Sequence, residues 1–334
     1  MSDATGIRTS PTGTASPSSE APGHRLTGVI PPLVTPLTDA GDLDLDSLTR
    51  LIEHAFAGGA RGVFMLGTTG EGTSFTLAQR RELIAATAER VAGRGPVLAG
   101  VLAPSTAQVA ELCPAMIEAG ASILVATAPF YVATHPAELE RHFRIVGDAC
   151  AGTPLFAYNI PVRAGTALPP ELLLRLAADG VIDGLKDSSG DLPGMRSLID
   201  GRRRLGLESL SILTGSEVTA DLSVLLGVDG IIPGLANVDV ATFVRIIAAV
   251  HRGDLATAAA EQQRILGLFD ILAVPDRSRM SASASSVGAV KAALRVLGVL
   301  DSARPAPPLT PLDDAEIGRI AAVLDRQGLV PARP

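Results

Sequence analysis

From Leu26 onward, short apolar runs rich in Val, Ile and Leu alternate with longer stretches in which apolar positions recur at helical spacing. The runs at 28–34, 61–66, 96–101, 122–127, 154–158, 181–186, 210–214 and 229–233 read as strands. The stretches at 46–57, 76–92, 106–119, 136–150, 169–178, 191–201, 217–227 and 238–251 read as helices. Regular strand–helix alternation is the pattern of a parallel sheet covered by helices. Eight such units fit a closed α/β barrel of the (β/α)8, or TIM, type better than an open doubly wound sheet. A dinucleotide-binding open sheet also carries a glycine fingerprint after its first strand, and none follows 28–34. Three more helices are expected at 254–273, 286–299 and 312–328, with the Pro-rich run 304–311 joining the last two. The chain therefore divides into a barrel over 26–252 and a C-terminal helical extension packed on it over 253–334. Residues 1–25, rich in Ser, Thr, Pro, Gly and Ala, read as a disordered tail with no apolar core of a secretory signal.

Composition narrows the function by exclusion. The formal net charge of −7 comes with no basic cluster, which makes nucleic acid and anionic membrane poor partners. No run of about 20 apolar residues is free of charges or breakers, so no membrane span is expected. Cys113 and Cys150 lie in apolar helical surroundings without CxxC spacing, and the five histidines are scattered. Buried reduced thiols and a chain without a metal, placed in the cytoplasm, are the expectation. One count is sharper. Of 28 basic residues only Lys186 and Lys291 are lysine, so 26 are arginine. Arginine stays protonated, whereas lysine can release its proton and act as a nucleophile. Base-composition drift gives the same count, and composition does not separate the two readings.

In a barrel of this kind the chemistry sits at the C-terminal ends of the strands and in the loops that follow. Gly67-Thr68-Thr69-Gly70-Glu71 follows the second strand, Pro129-Phe130-Tyr131 the fourth, Tyr158-Asn159 with Arg163 the fifth, and Lys186-Asp187 ends the sixth. Both tyrosines of the chain and one of its two lysines thus fall on the catalytic rim. A lysine there either pairs with an acid such as Asp187 or loses its charge; in the second case its amine can attack a ketone and form a Schiff base. Tyr158, one strand away, is a candidate proton carrier. The Gly-Thr-Thr-Gly turn offers backbone N–H groups and hydroxyls that suit a carboxylate. Arg163 can clamp a second carboxylate with its planar fork. Asp44 and Asp46 read as residues that start a helix. Lys291, in a helical pattern outside the barrel, reads as a surface or helix-packing residue.

The segments TPLTDAGDLD (35–44), GTTGE (67–71), PVLAGV (96–101), PFY (129–131), YNIPVR (158–163) and GLKDSSGD (184–191) resemble, in order and spacing, the dihydrodipicolinate synthase / N-acetylneuraminate lyase family of pyruvate-dependent class I aldolases. The resemblance covers the chain from about Gly28 to the C-terminal helices. It implies that Lys186 is the Schiff-base lysine and Tyr158 the proton-relaying tyrosine. Thr68 and Thr69, next to Gly67, would relay protons and hold the pyruvate carboxylate, and Ile232 would lie beside the pyruvate. Tyr131 would reach into a neighbouring subunit's site. It further implies a homotetramer built as a dimer of dimers, with no metal or organic cofactor.

Arg163 aligns with the arginine that binds the aspartate semialdehyde carboxylate in the synthase branch. This favours 4-hydroxy-tetrahydrodipicolinate synthase-like condensation. Ala164, GTTGEG, TGSE (214–217) and DRSRMSASASS (276–286) depart from the synthase pattern and bear on the second substrate. Two alternatives stand beside the synthase: an aldolase or dehydratase of a 2-oxo-3-deoxy sugar acid using the same imine, and a non-catalytic relative that binds a 2-oxo acid.

Overall fold

The computed structural model describes residues 25–329; apart from Arg25, the segment read as a disordered tail lies outside the described residues. Eight parallel strands form one sheet: β1 (Gly28–Val29), β2 (Val63–Met65), β3 (Val97–Gly100), β4 (Ile123–Thr127), β5 (Leu155–Asn159), β6 (Gly184–Asp187), β7 (Ser211–Thr214) and β8 (Gly230–Ile231). Their order is β1-β8-β7-β6-β5-β4-β3-β2. The remaining gap, between β1 and β2, is bridged at Pro32 and Phe64. There Arg61 N–H donates to Val29 O at 2.9 Å, Phe64 N–H to Pro31 O at 3.0 Å and Leu33 N–H to Phe64 O at 2.9 Å. The sheet closes on itself as the expected (β/α)8 barrel. The first strand is shorter than its apolar run, because Pro31 and Pro32 have no N–H for a ladder.

The helices are α1 (Leu45–Ala57), α2 (Leu77–Val91), α3 (Thr106–Glu118), α4 (Pro136–Ala149), α5 (Pro161–Ala164), α6 (Pro170–Ala178), α7 (Leu192–Leu205), α8 (Ala220–Leu226), α9 (Val240–His251), α10 (Leu255–Leu268), α11 (Ala282–Val296) and α12 (Asp314–Arg326). Their starts are set by side chains that accept the otherwise orphaned first-turn N–H groups. Asp44 accepts from Ser47 N–H, and reciprocal boxes form between Thr76 and Gln79 and between Asp313 and Glu316. Two differences from the sequence pattern matter. The short α5 has no amphipathic stripe; it exists because Pro161 occupies its first turn and Gly165, with φ +70°, ends it. Helix α11 begins at Ala282, four residues earlier than its apolar pattern, because Ser281 caps it.

Alternation along the strands produces two cores. Leu98, Ile123, Val125, Phe156, Tyr158, Leu213 and Ile232 fill the barrel interior with Phe64 and Ile30. Their sequence neighbours, such as Leu124, Ala157, Leu185 and Ile212, face the helices and join the larger outer core.

Lys291 is not at the surface. It is fully buried in α11, where Nζ lies 2.5 Å from Glu71 Oε2 and donates to Arg304 O at 2.9 Å. The cause is the composition of α11: Ala284, Gly288, Ala289, Ala292 and Ala293 let neighbouring segments close over it on nearly every side. Cys113 and Cys150 are buried free thiols with sulfurs 4.0 Å apart.

Candidate active site

Lys186 and Tyr158 are register partners on adjacent strands, so both point into the barrel at the same level. Below them, Gly184 pairs with Phe156, and a Cβ on Gly184 would lie 2.5 Å from the Phe156 ring. The missing side chain gives that ring its place and makes an apolar floor. Lys186 is 4 % exposed and Tyr158 3 % exposed. The ammonium nitrogen sits 4.3 Å from the centroid of the Tyr158 ring and 5.1 Å from that of Phe64. Two aromatic faces thus take the place of a counter-ion.

Asp187 is not that counter-ion. One residue further along the strand, it faces outward. It accepts from Asn159 Nδ2 at 2.7 Å and from the Ser189 hydroxyl and N–H at 2.7 and 3.1 Å. Among the described residues no carboxylate lies within ion-pair distance of Lys186. The alternative of a Lys186–Asp187 salt bridge is thereby removed. At the end of β7, a Cβ on Gly215 would fall 2.1 Å from Ser188 Oγ and 3.1 Å from Lys186 Cε. Glycine there lets the lysine side chain pass.

The Tyr158 hydroxyl meets Thr68 Oγ1 at 3.4 Å. Burial pushes the phenol's pKa up, but the Lys186 charge and hydrogen bonds with Thr68, Ser188 and Lys186 outweigh it, and the net direction is down. A phenol held this way gives up its proton more readily than a free tyrosine. The turn that carries Thr68 is tightly built. Gly72 N–H donates to Gly67 O, Glu71 N–H donates to Thr68 O, and the Thr35 hydroxyl donates to Gly70 O at 2.7 Å. Glu71 itself adopts φ +54°. Among the described residues the N–H groups of Thr68 and Thr69 donate to no protein acceptor, and they are suited to an anionic group.

Above this level opens a cavity of about 410 Å³ whose wall includes Gly67, Thr68, Thr69, Arg163 and Glu217. Lys186 and Tyr158 lie beneath it rather than in its wall, and Thr68, which touches Tyr158, links the two levels. The opposite wall comes from the C-terminal extension, through Ser283, Ser286, Val287, Val290, Pro308 and Leu309. The extension is part of the site and not merely packed on the barrel. Arg163, on the exposed α5, reaches across to it, and its Nη1 donates to Ser283 Oγ at 2.8 Å. Ile232 is buried in the same interior cluster as Tyr158 and Phe64.

Tyr131 is 88 % exposed and lines a separate outer groove with Val132, His142 and Ile145, so the chain does not bring it to its own Lys186. Phe130, its neighbour, lines both hollows. Glu217 is not singled out by the sequence, where TGSE stands out only as a departure from the synthase pattern. Its carboxylate accepts from the N–H of Leu235 and faces the cavity beside Gly234. Burial raises its pKa to about 7, against the opposing pull of the Leu235 and Gly234 N–H groups and the Lys186 charge. The available signal was its place, three residues past the end of a rim strand.

Residues 25–327 match the model of the dihydrodipicolinate synthetase family. The chain is 34 % identical to a 4-hydroxy-tetrahydrodipicolinate synthase of Kineococcus radiotolerans, over 91 % of this chain and 94 % of that one. It is also 34 % identical to 4-hydroxy-tetrahydrodipicolinate synthase 1 of Streptomyces coelicolor, over 89 % and 91 %. Among solved structures it resembles dihydrodipicolinate synthase from Bacteroides thetaiotaomicron, with TM-score 0.83, 32 % identity and coverage of 90 % and 98 %. It similarly resembles YagE, a prophage protein of the dihydrodipicolinic acid synthase family from E. coli K12 in complex with pyruvate, with TM-score 0.82, 29 % identity and coverage of 91 % and 99 %.

Proposed function

The chain belongs to the dihydrodipicolinate synthetase family, and from that premise we propose that it is a Schiff-base-forming lyase of the class I aldolase type that condenses pyruvate with aspartate semialdehyde, as a 4-hydroxy-tetrahydrodipicolinate synthase does. The observation that carries this reading is the pairing of Lys186 and Tyr158 at one level of the barrel interior, with Thr68 at hydrogen-bond reach of the phenol. The neutral Lys186 amine adds to the C2 carbonyl of pyruvate, and loss of water leaves a protonated imine. The imine nitrogen draws electrons from C3, a C3 proton departs, and the enamine attacks the aldehyde carbon of the acceptor. Tyr158 and Thr68 move the protons that these steps release and require. The Thr68–Thr69 amides hold the pyruvate carboxylate, Ile232 packs beside its methyl group, and Arg163 holds the acceptor's carboxylate. No metal or organic cofactor takes part in these steps. The protein acts in the cytoplasm as a homotetramer in which Tyr131 serves a neighbouring subunit's site.

A second reading keeps the imine and changes the substrate to a hydroxylated 2-oxo acid, such as a 2-oxo-3-deoxy sugar acid. The hydroxyls of Ser283 and Ser286 in the wall opposite the barrel favour it. Borohydride reduction in the presence of pyruvate, followed by peptide mass spectrometry, tests the shared chemistry. One reduced pyruvate on Lys186 is expected, and no adduct at saturating pyruvate would remove both readings. Product analysis with pyruvate plus aspartate semialdehyde, against a panel of deoxy-sugar acids, then separates them. Steady cleavage of a sugar acid without condensation overturns the synthase.

A further inference from the structure

Among the described residues, Glu71–Lys291 is the one buried ion pair that joins the carboxylate-binding turn to the C-terminal extension. The side chain of Lys291 is inaccessible and that of Glu71 nearly so. Each carboxylate oxygen of Glu71 has its own partner in the extension: Oε2 meets Lys291 Nζ and Oε1 accepts from Ala306 N–H, both at 2.5 Å. Lys291 in turn holds Arg304 O. Glu71, whose backbone is left-handed, is the last residue of the turn; it lies in the cavity wall, and its carboxylate reaches Lys291 of α11. Desolvation lowers the Lys291 pKa and the Glu71 carboxylate opposes that fall. An isolated buried charge is costly and a close ion pair much less so, so each partner constrains where the other can sit. On its other side the turn is fixed by Thr35 and by close approach of backbone: a Cβ on Gly70 would lie 2.8 Å from Leu33 O. The strut is therefore the extension's direct hold on Thr68 and Thr69.

We propose that Glu71 and Lys291 are positioning residues for the Schiff-base site: the pair sets the height of the Gly67–Glu71 turn and so the affinity of its Thr68 and Thr69 amides for the substrate's 2-oxo-acid carboxylate. The inference rests on the reading in which Lys186 captures a 2-oxo acid. The pair acts through the turn, since both carboxylate oxygens of Glu71 are taken by the extension, at Lys291 and Ala306. Its loss is expected to weaken capture of the 2-oxo acid while leaving Lys186, Tyr158 and the maximal extent of imine formation in place.

The test uses the full chain and pyruvate. The amount of borohydride-reduced adduct on Lys186 is measured against pyruvate concentration for the wild type, Lys291→Met, Glu71→Gln and a control, Arg279→Met. Arg279 donates to buried Glu316 at 2.7 Å, so its removal disturbs the extension without touching the turn. Each protein is assayed well below its own melting midpoint. A saturable wild-type adduct establishes the underlying reading by itself, and its absence refutes that reading without reference to any variant. With it in hand, the expected result is a rise of about tenfold or more in half-saturating pyruvate for Lys291→Met and Glu71→Gln. The final extent of labelling should be unchanged, and the control should stay within threefold of the wild type. Half-saturation within threefold of the wild type in the two strut variants overturns the proposal. So does an equal rise in the control, which would trace the effect to general loosening. If the single variants do not fold, the neutral pair Glu71→Gln/Lys291→Met is measured in their place, with the same two outcomes.

Discussion

Glu217 allows the electrostatics of the site to be tested apart from catalysis. In the folded chain its carboxyl titrates at about 7 rather than 4.5. A carboxyl whose folded pKa is raised favours folding by holding its proton. That contribution is fully present below about 4.5 and is lost as the pH rises through about 7. Over this interval, at about 1.4 kcal/mol per pH unit, the ceiling is roughly 3 kcal/mol. The residue is half-buried and faces the cavity, so solvent there relieves part of the cost, and about 1–3 kcal/mol is the working range. Glu217→Gln keeps an oxygen for the Leu235 N–H and removes the titration. Urea unfolding of wild type and variant at pH 5 and pH 8 gives a difference of differences from which every other titrating group cancels. The variant should be within about 1 kcal/mol of the wild type at pH 5, a typical net hydrogen-bond contribution. It should gain about 1–3 kcal/mol on the wild type by pH 8. Parallel stability profiles, agreeing to about 0.5 kcal/mol across that range, would falsify the assignment and mean that Glu217 ionises at its ordinary value in the folded protein.

Tyr158→Phe keeps the ring beside Lys186 and Phe64 and removes only the hydroxyl that meets Thr68. Turnover is expected to fall about 10²- to 10⁴-fold with folding intact, as measured by steady-state rate beside a melting curve, and a variant within fivefold of wild type would take the proton relay away from Tyr158. Sedimentation of the full chain should give about four times the 34.2 kDa chain mass, with Tyr131→Ala lowering turnover; a fully active single chain would leave Tyr131 without a role in the site.

Much of the barrel was legible because its physics is local. Strand alternation, helix periodicity and capping residues such as Asp44 and Thr76 all act within a few positions of one another, and the structure follows them to within a few residues. The convergence of Tyr158 and Lys186 was legible for the same reason. Tyr158 and Lys186 each sit near the end of an apolar run, and matching run ends become register partners once the sheet is parallel. What was not legible depends on contacts between distant segments. The early stop of β1 comes from a proline pair meeting β2, and the role of the extension as a cavity wall comes from Ser283 meeting Arg163 across 120 residues. Glu217 looks like an ordinary loop acid until Leu235 and Gly234 enclose it. Tyr131 carries the family motif, yet within one chain it has no site to enter.

The lysine count contained more than the sequence reading took from it. Both lysines are buried, and in neither place would arginine serve, for opposite reasons. At 186 the side chain ends between two aromatic faces, and the proposed imine requires an amine that can shed its proton, which a guanidinium does not do. At 291 the space is that of a compact amine closed in among small residues, against Glu71 and Arg304 O, where a planar fork with five donors would leave N–H groups unmet. Base drift towards arginine would remove lysine wherever the two are interchangeable, so the survivors mark positions where they are not. One survivor sits at the end of β6 beside Tyr158, the other against Glu71 of the Gly67–Glu71 turn, and the same selection argument applies to both.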